Sequence, residues 1–545
     1  MSATIREHCE TRLAAMKGIR TDYEAECREI ARFAQPARSR FLMTEKNKGS
    51  KRRAANNRLL DPHGIEAFRT LTNGMTSGLS SASRPWFSLT LDDQAIMEEP
   101  GVRDWLSDVE KRIYTFLSST NFYGAVKSGY AEMGLFGTEA CVMVEHHVYG
   151  AVCHQMTFGE YWIALSDGLQ PDTLYRQCPM TVRQIVQSFG KSAPASVLQA
   201  YDRSDYEREH EIYQAIEPDP DGRLPYRSVY WDAGEDRNDT LRVSGYHEQP
   251  FWAPRWDVVG GDIYGFSPGM EALPALRELQ LQVKRRNEAI DLLAHPEKIV
   301  PTGVRLTGQP RNIATGNGLT KDQVFVPYQM PYQAVAAISA EADKCKVQVN
   351  SLSFADLFNA ITNMRGVQPR NFEEIASRNE EKLTQLGPVI ERVANEKLEP
   401  AIDRVFGIME RGRLLPPAPD ALRDRAIKVE LVSILAQMQR MVGIGQIERT
   451  ASFVGNLAGS FPDAADKLDV DEMIDEYAQR AGAPARMIRS TKDAAKIRTG
   501  RAQEQAQAKM MAAAPALKDG VEAARLLSET DVGGAPLLDT MLGAA

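Results

Sequence analysis

The residues with the clearest chemical potential lie in Gly265-Phe266-Ser267-Pro268-Gly269, a literal G-x-S-x-G. In a hydrolase elbow this spacing presents the serine as a nucleophile, and the N–H of the next residue helps hold the oxyanion. Here the next residue is Pro268, which has no N–H to give. Ser267 suits another task, because a serine placed before a first-turn proline is a helix N-cap. Gly190-Lys191-Ser192 resembles the end of a phosphate-binding loop, but Ile185 stands where that loop needs its first glycine. Gly316-Asn317-Gly318 lacks the third glycine of a dinucleotide fingerprint and reads as a hairpin tip. Cys141, His146, His147, Cys153 and His154 fall within fourteen positions. Their spacings match no familiar zinc pattern, and adjacent strand residues face opposite sides. Asp92-Asp93, Glu373-Glu374 and Glu380-Glu381 have no attendant His or Lys constellation and read as solvated faces or helix N-terminal charges. The expectation is a protein without catalysis, metal or cofactor.

Chemistry of another kind remains in Met364, Arg365, Gly366, Val367, Gln368, Pro369 and Arg370, where two arginines sit among helix breakers. That segment reads either as an ordinary connector or as a loop projecting from one end of a helical arm. The arm spans 264–362 and consists of two long helices around a strand-and-turn insert. Its first helix opens at Ser267-Pro268 and runs to His295, with Leu276, Leu279, Val283, Ile290 and Leu293 in one seam and Arg286 in the remaining slot. The second covers about 335–362 through Ile338, Ala342, Cys345, Val349 and Leu352. At 1.5 Å per residue each is ~40 Å long. Two such helices bury too little surface to stand alone, so the arm needs neighbours, most simply further copies of itself in a ring.

The rest of the chain reads as an α+β body followed by helices. Residues 4–33 carry helix spacing stopped by Pro36, and helices follow from Asp61, over 102–117 and over 125–136. Gly74 and Gly78 leave room for close packing. From 149 to 264 short strands alternate with turn clusters, interrupted by one helix at about 181–189. Asn371 with Glu374 makes a capping box for a helix starting at Phe372, and another helix follows Pro388. Pro416-Pro417-Ala418-Pro419 is a stiff break marking a domain boundary, with helical periods beyond it and an Ala/Gln-rich tail after about 499.

Composition sets the outer bounds. With 545 residues, 43% hydrophobic and 25% charged, the chain can bury several cores. No run of eighteen apolar residues exists, so no membrane span is expected, and the polar start MSATIREHCE lacks a signal-peptide core. Six scattered cysteines read as reduced thiols made in a cytosol. A net charge of −8 argues against coating nucleic acid by bulk electrostatics, although eight Lys/Arg face only Glu45 between Arg38 and Arg58.

Several blocks in order then resemble the portal, or head-to-tail connector, proteins of short-tailed bacteriophages. They are Gly78-Leu79 leading to Pro85-Trp86-Phe87-Ser88-Leu89, Thr120-Asn121-Phe122, Phe136-Gly137-Thr138-Glu139-Ala140, and Arg255-Trp256 leading to the Tyr264–Gly269 stretch. Leu386-Gly387-Pro388-Val389-Ile390-Glu391-Arg392 and Glu396-Lys397-Leu398-Glu399-Pro400 complete the series. Each block is weak alone; their order over 9–498 carries the resemblance. It implies a predominantly helical, multidomain α+β portal fold assembled as a homododecameric ring around a channel for double-stranded DNA. In that fold 1–262 is the wing, 263–296 and 335–363 the stem helices, and 297–334 the clip. Residues 364–417 hold the tunnel loop and its helices, 418–500 the helical crown, and 501–545 a tail. The loop Met364–Arg370 would enter the channel, with Lys284, Arg285 and Arg286 as basic stem positions. Lys298, Arg305, Arg311 and Lys321 would dock the terminase large subunit and later the tail adaptor and tail tube. Major capsid and scaffolding proteins are further implied partners, and the implied location is the portal vertex of the virion after synthesis in the bacterial cytoplasm. Where relatives often carry a Thr-Ala-x-Glu start to the tunnel helix, this chain has Asn371-Phe372-Glu373-Glu374, which can cap the same way. A DNA conduit also suits an acidic chain with sparse arginines, because every neutralised phosphate adds affinity that would stall the duplex. The competing classes are a serine hydrolase using Ser267 and a capsid scaffold or assembly protein that never meets DNA.

Overall fold

The computed structural model describes residues 4–38, 59–91, 93, 96, 100–234, 240–296, 331–362, 380–422, 427–433, 435, 444–459, 461, 463, 467–481, 494, 496–501 and 504–505. Two compact units divide between Val442 and Gly443.

In the first unit, α1 (Ile5–Ala34) begins on a capping box: Thr4 Oγ1 accepts from Glu7 N–H, and Glu7 Oε2 accepts from Thr4 N–H at 2.9 Å. Next come α2 (His63–Leu79), β1 (Phe87–Thr90), α3 (Pro100–Ser119) and α4 (Phe122–Phe136). A run of strands and short helices follows: β2 (Ala140–His146), β3 (Gly150–Met156), β4 (Tyr161–Leu165), β5 (Pro171–Thr181), α5 (Val182–Phe189), α6 (Ala195–Asp202), β6 (Glu209–Pro218), β7 (Tyr226–Asp232), β8 (Arg242–Tyr246) and β9 (Phe251–Trp252). Strands β4 to β8 form an antiparallel meander, while β2 pairs with both β3 and β9. The first half of α1 lies on the meander, where Cys9, Leu13 and Met16 join Trp162, Tyr175, Tyr213 and Trp231. Its second half enters the main core through Cys27 and Ile30.

The remaining elements of this unit are α7 (Pro268–Ala294), α8 (Tyr332–Leu352), α9 (Ala355–Thr362), α10 (Glu380–Val393), a π turn (Ala394–Leu398), α11 (Glu399–Arg411) and β10 (Lys428–Leu431). The second unit contains α12 (Ile444–Ala458) and α13 (Val470–Ala481), where the Tyr477 hydroxyl donates to Glu448 at 3.1 Å.

Four expectations are corrected. The meander region holds a second helix, α6, which forms because Val197 and Ala200 pack on Val182 and Ile185 of α5. The second long helix stops at Leu352, because Phe354 takes a left-handed backbone (φ 55°) before α9 starts. Helix α10 is already formed at Glu380 and runs through Pro388 instead of starting there. Burial of Leu386, Val389, Ile390 and Val393 along one face holds it together where proline removes a backbone hydrogen bond. Finally, the chain does not leave the body at the Pro416–Pro419 break. Leu422 and Leu435 are buried in the main core, and β10 pairs antiparallel with β1, from Phe87 opposite Leu431 to Thr90 opposite Lys428. A strand therefore stands in the region expected to be wholly helical.

Candidate subunit interface and its buried anchor

The start of α7 shows why the G-x-S-x-G spacing exists. Ser267 is 1% exposed; its Oγ accepts from Met270 N–H at 3.1 Å and donates to the Leu135 carbonyl at 2.8 Å. Both capacities of the hydroxyl are occupied by backbone, so Ser267 caps the helix as its sequence context indicates. The flanking glycines let that helix start press onto the end of α4. A Cβ on Gly265 would lie 2.4 Å from the Gly137 carbonyl oxygen, and one on Gly269 would lie 2.3 Å from that of Leu135. Gly137 itself ends α4 with φ 78°, a left-handed cap that favours glycine.

From this base α7 and α8 pair along Leu279, Val283, Ala342 and Cys345. The buried seam of α7 holds Leu276, Leu279, Val283 and Ala289. Ile290 and Leu293, expected in that seam, are 45% and 43% exposed. Leu281 on α7 and Tyr332 and Val347 on α8 are likewise exposed. The hairpin thus buries one strip between its own helices and leaves bulky apolar side chains uncovered elsewhere. Lys284 and Arg285 are exposed on α7 and Arg286 is half-buried; Lys284 Nζ lies 3.7 Å from Glu288. Helix α1 braces α7 through an ion pair between Glu29 and Arg277.

The segment Met364, Arg365, Gly366, Val367, Gln368, Pro369 and Arg370 lies outside the described residues, as do Lys298, Arg305, Arg311 and Lys321. The basic stretch 39–58 and the capping pair Asn371 and Glu374 also lie outside them.

Sequence reading did not identify the buried charges that join the body to the α10–α11 helix. Glu396 and Lys397 are consecutive, yet both point inward from the π turn, where the wider i→i+5 winding changes the side-chain spacing. Glu396 Oε2 accepts from the Arg255 N–H at 2.9 Å, and Glu396 Oε1 accepts from Arg255 Nη2 at 2.7 Å. Arg255 Nη2 also donates to the Leu169 carbonyl at 2.8 Å. Lys397 Nζ lies 2.7 Å from Glu139 Oε1 and 2.9 Å from Oε2, with its charge 3.7 Å from the centre of the Tyr130 ring. Gly129 provides the room, since a Cβ there would lie 2.1 Å from Glu139 Oε2. Burial pushes the Glu139 carboxyl up and the Lys397 ammonium down, each opposed by the other's charge. Nothing in the surrounding sequence, where Arg392, Asn395 and Glu399 are also polar, marks these two charges as buried, and their partners are more than a hundred residues away.

The thiol and imidazole cluster takes up ordinary strand positions. Cys153 stands opposite Met143 and His154 opposite Val142, while the rings of His146 and His147 stack at 4.8 Å where β2 gives way to the turn. Among the described residues, no group of three or more His, Cys, Asp or Glu could hold a metal ion. No helix among them is long and apolar enough to cross a membrane.

A family model described as "Bacteriophage head to tail connecting protein" matches residues 6–488. Over 558 aligned residues the chain is 35% identical to the portal protein of Salmonella phage epsilon15, covering 100% of this chain and 99% of that protein. It is 34% identical over 545 residues to the probable portal protein of Bordetella phage BPP-1, with 97% and 96% covered. Among solved structures it is similar to a chain of the virion of a native gene transfer agent particle, at 12% identity and a TM-score of 0.33 over 78% of this chain and 90% of that one.

Proposed function

The chain belongs to the bacteriophage head-to-tail connecting family, and on that premise we propose that it assembles as a homo-oligomeric ring without catalysis of its own, at one capsid vertex, and passes double-stranded DNA through the centre.

 Family membership carries the coarser part of this reading, a structural ring associated with capsid and tail. The finer part rests on the arm. Helices α7 and α8 serve as the stem, and the exposed Leu281, Ile290 and Leu293 of one copy meet α8 of the next, which removes that apolar surface from water. Residues 297–334 serve as the clip that docks the terminase large subunit and later the tail adaptor. Residues 364–370 reach into the channel, where two arginines per copy guide the duplex without clamping it. The region after Gly443 forms the crown.

The observation that supports the ring most directly is the uncovered apolar side of a hairpin that has already used its internal seam. Negative-stain imaging of the purified protein tests it. Rings with a central hole wide enough for a duplex are expected. Closed shells, or monomers at all concentrations, would instead favour a scaffold that never meets DNA.

A further inference from the structure

Among the described residues, Leu169, Ser204, Phe354 and Arg413 are the non-glycine residues with left-handed backbone. Leu169 lies in the turn between β4 and β5, Ser204 follows α6, and Arg413 follows α11. At each of those places the chain leaves a regular element for a turn. Phe354 differs, because helix stands on both sides of it: α8 ends at Leu352 and α9 begins at Ala355. The stretch Leu352-Ser353-Phe354-Ala355-Asp356 contains neither the glycine that takes a left-handed backbone without strain nor a proline that would force a break. Phe354 therefore carries a backbone conformation disfavoured for its residue type, between two helices.

Tertiary contacts hold the bend. The Phe354 ring packs 6.0 Å from that of Trp256, and Ser353 is fully buried. Leu357 and Phe358 of α9 are buried as well, and Phe358 occupies a notch in α2. That notch exists because residue 74 is glycine; a Cβ there would lie 2.1 Å from Phe358 Cγ. Phe354 N–H still reaches the Ser351 carbonyl at 3.3 Å, and Phe358 N–H reaches that of Phe354 at 3.2 Å. The joint is therefore hydrogen-bonded on both sides, with the left-handed residue between.

We propose that Ser353–Phe354 is a strained hinge with two positions: the bent one, with α9 seated on α2, and a straight one in which α8 and α9 form a single helix. Straightening relieves the Phe354 backbone and withdraws Phe358 from the Gly74 notch. The balance is between the strain in the Phe354 backbone and the seat of Phe358 on α2, so any load that draws Phe358 out shifts α9 as a rigid piece. That this movement displaces the channel loop, which follows α9 in the chain, rests on the proposed function; the hinge itself does not.

The test uses the full-length chain with spin labels at Asn73→Cys and Asn359→Cys, both exposed positions, on a Cys178→Ser background and diluted with unlabelled copies. Double electron–electron resonance then reads the separation of α9 from α2. Gly74→Ala fills the notch, and Phe358→Ala empties it, without altering the hinge. Each is expected to add a second, longer and equally narrow distance. Adding Phe354→Gly, which removes the backbone strain, should deplete that population about tenfold. An unchanged distance in both seat variants, a broad distribution indicating melting of α9, or a population indifferent to Phe354→Gly would overturn the hinge. If Gly74→Ala does not fold, Phe358→Ala alone decides between these outcomes. Substituting Arg365 and Arg370 leaves this measurement unaffected, so failure of the channel reading is detected separately through DNA packaging.

Discussion

Lys397 and Glu139 form an ion pair at 2.7 Å in which neither side chain exposes any surface to solvent. Removing one partner leaves an uncompensated charge in the core, whereas removing both leaves none. Lys397→Met or Glu139→Met alone should therefore destabilise the body by about 3–5 kcal/mol. The double variant should fall within about 1–2 kcal/mol of the parent chain, with either sign. Chemical denaturation of the four proteins checks this, and additive single effects would refute it.

Ser267 predicts a smaller loss. Ser267→Ala removes the cap of α7 and the hydrogen bond to the Leu135 carbonyl, at a cost of about 1–2 kcal/mol. Ser267→Thr should recover part of this. The melting temperature reports both, and an unchanged value in the alanine variant would contradict the capping role.

Asp403 gives a pH-dependent expectation. Burial, then Glu399 and Glu248, push its carboxyl up to about 6. A carboxyl raised in the folded state favours folding below its unfolded value and opposes it as pH rises through about 6. Asp403 still presents much surface to water, which screens the repulsion. Asp403→Asn should thus add about 1 kcal/mol near pH 7.5 after allowing for that screening, and the gain should vanish below pH ~4. Thermal unfolding of both proteins at the two pH values decides it.

Assembly should depend on residues that contribute little to the isolated hairpin. Leu281→Asp with Ile290→Asp replaces two exposed apolar side chains of α7. The circular dichroism spectrum and melting of the dissociated chain should stay within about 0.5 kcal/mol of the original. Rings should be lost in sedimentation velocity at concentrations where the parent chain assembles. Normal rings from the doubly charged variant would move the interface elsewhere.

The two loop arginines separate assembly from DNA handling. Arg365→Ala with Arg370→Ala should leave ring formation intact while reducing the yield or stability of DNA-filled heads. Normal filling and retention would remove those residues from the channel.

How much of this was legible in the sequence depends on the range of the forces involved. The Ser267 cap and the Leu276–Val283 seam are local, and residue type with helical spacing revealed them; the Thr4–Glu7 capping box is just as local but went unread. Phe354 was not legible, because its break is imposed by Trp256 and by the Gly74 notch, both distant in sequence. Strand β10 was hidden for the same reason, since its partner β1 lies far upstream. Glu139, Arg255, Glu396 and Lys397 fell inside family-like blocks, but periodicity could not tell that these charges were turned inward and paired. Ile290 and Leu293 were placed in the right pattern and the wrong environment: spacing identifies an apolar face without saying whether the same chain covers it.

The pairing of β1 with β10 also orders events during synthesis. Phe87 and Leu431 stand opposite each other in the two strands, separated by more than 300 residues of chain. A ribosome adding about 5–20 residues per second needs roughly 20–70 s to cross that interval. Throughout it, β1 has no strand beside it, and Gly78 lacks the Leu435 side chain that packs against it. The body therefore closes only after the arm has been made, so a nascent chain exposes its sticky helices before it has a finished shoulder to stack them on.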